Sequence, residues 1–151
     1  MMIVMKLLVA LTLLAAAPTT IHLRDVRSVY VFPMGAGYDQ YLASELTVDH
    51  VFQVVADPKS ADAFFTDRLG PAFEQMLDEK VLEVKPKNDQ PHSSFGSGKG
   101  TLFLVSKSKQ ILWSAIEPPK NTTSKELAKS ARKSVEQLKI DLAPPGTLPA
   151  N

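Results

Sequence analysis

Hydrophobic and polar positions along this chain follow two periods, one near 2 and one near 3.6, and each stretch predicts an element. Residues 28–32, SVYVF, are apolar at both alternating sets of positions, the pattern of an inner strand covered on both faces. Residues 39–48 then place Tyr41, Leu42 and Leu46 at helical spacing among polar neighbours, with Asp39 where an N-cap belongs. A second strand is read over 51–56, VFQVVA, and Asp57-Pro58 ends it. After a short turn around Ser60-Ala61-Asp62, residues 63–66 form a third strand. Pro71 opens a helix running to about residue 80, with Phe73, Met76, Leu77 and Val81 on its buried face.

Residues 85–100, KPKNDQPHSSFGSGKG, break this periodicity and predict a flexible loop within one domain. Two apolar runs follow, 101–106 and 110–117, joined by the polar turn Lys107-Ser108-Lys109. They predict a β-hairpin, ended by Pro118-Pro119. Thr123-Ser-Lys-Glu126 matches a capping box. The helix behind it carries Leu127, Ala131, Val135, Leu138 and Leu142 in one stripe, with Lys129, Arg132, Lys133 and Lys139 off it. The tail 143–151 reads as disordered. The order β-α-β-β-α-β-β-α predicts an α/β (α+β) fold with a single mixed sheet of about five strands. The first three strands are expected parallel, the hairpin antiparallel.

Composition changes this picture mainly at the N-terminus. Lys6 precedes an uncharged run of about 11 residues ending in Ala15-Ala16-Ala17, whereas a membrane-spanning helix needs about 20. Residues 1–17 therefore read as a cleaved signal peptide, leaving 18–142 as a single domain with no transmembrane span. Met5-Lys6 offers a second start, and the cleavage point stays open because Pro18 follows the alanines. With no cysteine in the chain, the domain has no disulfide staples and depends on its core. Export without disulfides suits a periplasmic or secreted bacterial protein.

Charge is divided along the chain. Residues 18–84 hold five Lys/Arg against eleven Asp/Glu, and residues 85–151 hold eleven against five. Each half can simply show a solvated face, or the halves can drive head-to-tail self-association or capture of an anionic partner. Nucleic acid is not expected, since the basic residues are not interleaved with aromatics.

Several motifs invite a chemical reading and fail it. Gly35 and Gly37 match two places of the dinucleotide fingerprint G-x-G-x-x-G, but Gln40 stands at the third. Gly98-Lys99 resembles part of a P-loop, yet Ser93 and Gly100 occupy the positions that need glycine and a hydroxyl. The three histidines, His22, His50 and His92, lack metal-ligand spacing. His92 with Ser93 or Ser94 has no nucleophile elbow. No catalytic residue, cofactor or metal site is therefore assigned, and Trp113 is expected in the core or on a sheet face.

The segments RSVYVFPMGAGYDQYLASEL and FQVVADPKSADAFFTD, with the closing GTLFLVSKSKQILWSAIEPPKNTTSKELAKSARKSVEQLKIDL, resemble short exported bacterial proteins of largely unknown function. More distantly the layout is similar to the amino-terminal domain of TolB and to the periplasmic domain of the curli secretion channel. The resemblance spans nearly all of residues 18–142 and rests on pattern. It implies a periplasmic, non-enzymatic domain acting through protein contacts, and it brings no functional residues. The propeller, lipidation cysteine and pore strands of those distant relatives have no counterpart.

The expected function is that of a non-catalytic cell-envelope domain that contacts an envelope protein or itself. Phe95, Lys99, Lys129, Arg132 and Lys133 are the candidate contact residues. The competing reading is a small periplasmic hydrolase or small-molecule-binding protein using the loops 35–39 and 92–94.

Overall fold

The computed structural model describes residues 20–84 and 100–144. Residues 1–19, which include the segment read as a signal peptide, residues 85–99 with His92, Phe95 and Lys99, and the residues beyond Pro144 lie outside the described residues. The rest forms one mixed sheet with helices on both faces, as the spacing predicts. The strands are β1 (Ser28–Val31), β2 (Gln53–Val54), β3 (Ala63–Thr66), β4 (Thr101–Ser106) and β5 (Ile111–Ile116). The helices are α1 (Tyr38–Val48), α2 (Pro71–Val81) and α3 (Ser124–Leu142). Strand order is β2-β1-β3-β4-β5. β1 pairs in parallel with β2 and β3, whereas β3, β4 and β5 pair antiparallel.

β3 sets the layering. All four of its residues, Ala63-Phe-Phe-Thr66, are buried, and successive side chains of a strand point to opposite faces. Phe65 enters a core with Leu42 and Leu46 of α1, Trp113 of β5, and Leu127, Ala131, Val135 and Leu138 of α3. Phe64 enters a second core with Phe32 and with Phe73, Met76 and Leu77 of α2. Phe32 lies 5.7 Å from Phe64 and 5.5 Å from Phe73 between ring centroids, and Trp113 meets Phe65 edge-on at 6.4 Å. These are the tilted and edge-to-face arrangements that aromatic quadrupoles favour. One face thus carries α1 and α3, the other α2.

Several boundaries differ from the sequence expectation, each for a local reason. β2 is only two residues long, although Val55 N–H still bonds Val29 O at 2.9 Å. The chain then bends into the 3₁₀ turn Pro58–Ser60, capped by Asp57. At α1 the N-cap is Gly37, with φ 73°, and not Asp39. At α3 the N-cap is Thr123, but its hydroxyl oxygen accepts no helix N–H and its proton goes to Asn121 Oδ1 at 2.6 Å, so the expected capping box is not made. A register shift between Leu104 and Val105 turns both Leu112 and Trp113 toward the α1/α3 core, the result of one extra residue in β5. Ala143, assigned to the tail, closes α3 through its N–H and accepts a hydrogen bond from Arg24 Nη2 at 3.0 Å.

The mouth of the β1–β3 pair is held by Asp62. Its Oδ2 accepts the backbone N–H groups of Arg27 at 2.9 Å and Ser28 at 3.1 Å. Burial pushes this carboxyl up, but the N–H donors, the Ser28 hydroxyl and the nearby Lys107 charge outweigh it and hold it below the ordinary carboxylate range. A group depressed in the folded state stabilises above its unfolded pKa, about 3.9 for Asp, and that stability disappears as pH falls through the folded value. Asp62→Asn should therefore lower the urea midpoint at neutral pH, and the gap to the parent protein should shrink on acidification below about pH 4. A gap independent of pH would show that the Asp62 charge is not what the fold uses.

Candidate functional site

The stretch VYVFPMGAGYDQYL leads out of β1 into α1. Pro33 offers no N–H. The next two amides are both taken by carboxylates, Met34 N–H by Asp39 Oδ1 at 3.1 Å and Gly35 N–H by Asp67 Oδ2 at 3.3 Å. Ala36 and Gly37 then pass through the left-handed region at φ 57° and 73°. A phosphate cradle needs free amides and no negative charge. This turn instead presents two aspartates to its own amides, so the glycines here shape a turn.

α1 leaves the carboxyl end of β1 toward one face of the sheet, and α2 leaves the neighbouring parallel strand β3 toward the other. Where connections part in this way, a crevice opens at the strands' carboxyl ends. Such a crevice is present. A cavity of about 240 Å³ is lined by Gly35, Ala36 and Tyr38 after β1, and by Asp67 after β3. Gly100, Thr101, Pro118, Pro119, Thr122 and Leu127 complete its wall. The wall is largely apolar, with one charged side chain, Asp67, which is only 6% exposed.

Two devices hold that wall in place. At the base of β4, Gly100 O accepts Glu117 N–H at 2.9 Å, and a Cβ on Gly100 would stand 2.3 Å from Pro118 Cα. Gly100 also has φ 80°, so both space and backbone conformation require glycine. Behind the cavity, the Tyr38 hydroxyl lies 3.3 Å from both Ser130 Oγ and Ser134 Oγ, and Ser130 also donates to Glu117 O. This buried polar group fastens the first turn of α1 to α3.

The residues singled out from sequence separate here. Asp39 supports the turn beside the cavity without lining it. His22 and His50 are exposed and lie away from it. Trp113 is a core residue whose Nε1 donates to Asp141 at 2.7 Å. Arg132 reaches Glu45 at 3.4 Å and Lys139 reaches Asp49 at 3.5 Å. The basic helix α3 thus faces the acidic helix α1, and part of the charge division is met inside the chain. Exposed pairs of this kind contribute up to about 1 kcal/mol each. Lys129 and Lys133 remain exposed, flanking a shallow hollow with Lys120, Glu117 and Glu126. Sequence reasoning missed Asp67, Tyr38, Ser130 and Ser134. The signal available was the serine pair four residues apart beside the apolar stripe of α3, which needs a polar partner once buried.

Among the described residues no group of three or more His, Asp or Glu is placed to hold a metal ion. Among them too, no helix is long and apolar enough to cross a membrane. No family model, curated protein or solved structure matches this chain. Gly100→Ala should cost about 1–3 kcal/mol, as overpacking against a fixed backbone does, and should move the amide resonances of residues 117–119. Urea unfolding with amide NMR checks both. Unchanged stability would mean that the Pro118 wall gives way freely.

Proposed function

We propose that this chain is an exported, non-catalytic domain that works by protein contact, and that β5 is its contact edge. The observation carrying this reading is the state of β5, a six-residue strand at the edge of the sheet. Ile111 and Ile116 are 53% and 70% exposed, and no residue between them is charged. Glu117 N–H bonds to Gly100 O, so by antiparallel alternation Ser114 and Ile116 turn their own N–H and C=O groups away from β4. Natural sheets blunt such an edge with charge, proline or a short strand. The opposite edge, β2, is two residues long. The register shift bends only the lower end of β5.

The occupant this edge fits best is a second copy of itself. A two-fold axis beside β5 makes the strands antiparallel, so Ser114 and Ile116 of each copy meet the outward groups of the other. With β2 too short to continue the sheet, the pairing closes at a dimer. The N-terminal apolar run and the resemblance to exported envelope domains support placing this activity in the periplasm or outside the cell.

Sedimentation velocity tests the reading. The purified protein should dimerise with rising concentration. Ser114→Lys, at an exposed position, should yield a monomer whose melting curve matches that of the parent protein at dilutions where the parent is also monomeric. A parent protein that stays monomeric throughout, or a Ser114→Lys variant that dimerises equally well, would overturn it.

A further inference from the structure

The cavity between the β1 and β3 ends has no part in strand pairing, and its chemistry points to a ligand class. We propose that it binds a small organic cation, an ammonium group carrying a compact apolar body. The negative group is Asp67, buried at 6% exposure and fixed by the Gly35 N–H on Oδ2. A carboxylate has about four acceptor positions, so it can receive an ammonium N–H alongside its present contacts. Charge-assisted bonds of this kind are stronger than neutral ones, and more so away from water. An anionic ligand is disfavoured by the same carboxylate and by Asp39 behind the neighbouring amide. The remaining wall, Ala36, the Tyr38 ring, Pro118, Pro119 and Leu127, offers apolar surface to a ligand body.

Size narrows the class further. The volume, about 240 Å³, falls below the roughly 300–1,000 Å³ of sites that take drug-sized molecules. A single ring or a short branched chain fits, and a peptide does not. Ala36, a non-glycine residue at φ 57°, stands at the rim beside Gly35. Backbone held in this sparsely populated region gathers at ligand clamps. The rim is therefore built by the same turn that the two aspartates hold.

Benzylamine is the probe, with benzyl alcohol and benzoate as neutral and anionic isosteres, followed by amide NMR titration of the purified protein. Benzylamine should shift residues 35–38, 67, 100–101 and 127, and should bind at least tenfold more tightly than either isostere. Asp67→Asn, which keeps an oxygen for Gly35 N–H, should lose that preference. Thr122→Trp, at an exposed position of the rim, should block binding while leaving Asp67 in place, so the outcome does not hang on how one variant folds. Equal response to all three probes, shifts elsewhere on the protein, or undiminished binding to both variants would overturn the proposal. Strand pairing is read by sedimentation, so either idea can fail without the other.

Discussion

The structure depends on a four-residue strand that is buried on both faces. β3 offers Phe64 to one side and Phe65 to the other, and neither ring can be left in water without losing about 1.5–3 kcal/mol of burial. Each face must therefore be covered, which is why a chain this short carries helices on both sides of its sheet. The ends of β3 are held by charge. Asp62 before it accepts the amides that open β1, and Asp67 after it accepts the Gly35 amide that follows β1. The parallel β1–β3 pair, which has no turn joining its strands, is thus clamped by one aspartate at each end.

That arrangement explains which features were legible in the sequence. Burial on both faces writes itself into consecutive apolar residues, and burial on one face into a helical stripe, so β1, β3, β4 and the stripe of α3 could be read from local pattern. A hydrogen bond to a residue 30 or more positions away leaves no local trace. Asp62, Asp67 and the Tyr38–Ser130–Ser134 group belong to this second kind. Asp39 and Thr123 occupy positions where a cap is normal, and the sequence alone could not show that other partners, Met34 N–H and Asn121, would win. The cavity was invisible for a related reason, since four separate stretches of chain build it.

The charge division has a similar resolution. Read along the chain, an acidic half precedes a basic half, which suggests two ends that attract other molecules. In the fold, α1 and α3 run side by side, and Glu45 and Asp49 meet Arg132 and Lys139 across their shared groove. Lys109 likewise reaches Asp78 of α2 at 3.0 Å. Charges separated in sequence are neighbours in space, so the asymmetry speaks first of how the helices are registered and only afterwards of partners.

The uneven covering of the two faces has a consequence for β5. Among the described residues two helices lie on the Trp113 side and α2 alone on the other, and α2 packs over β1, β3 and Val105 of β4. Ile111, Ser114 and Ile116 project on that second side beyond the reach of α2, which is why they are exposed although they belong to the sheet. The same strand runs directly into Pro118 and Pro119, the wall of the cavity. One residue, Glu117, separates Ile116 from Pro118, and Gly100 holds both the strand end and the proline at contact distance. The edge strand and the cavity wall are therefore continuous in the chain and share one close contact, at Gly100.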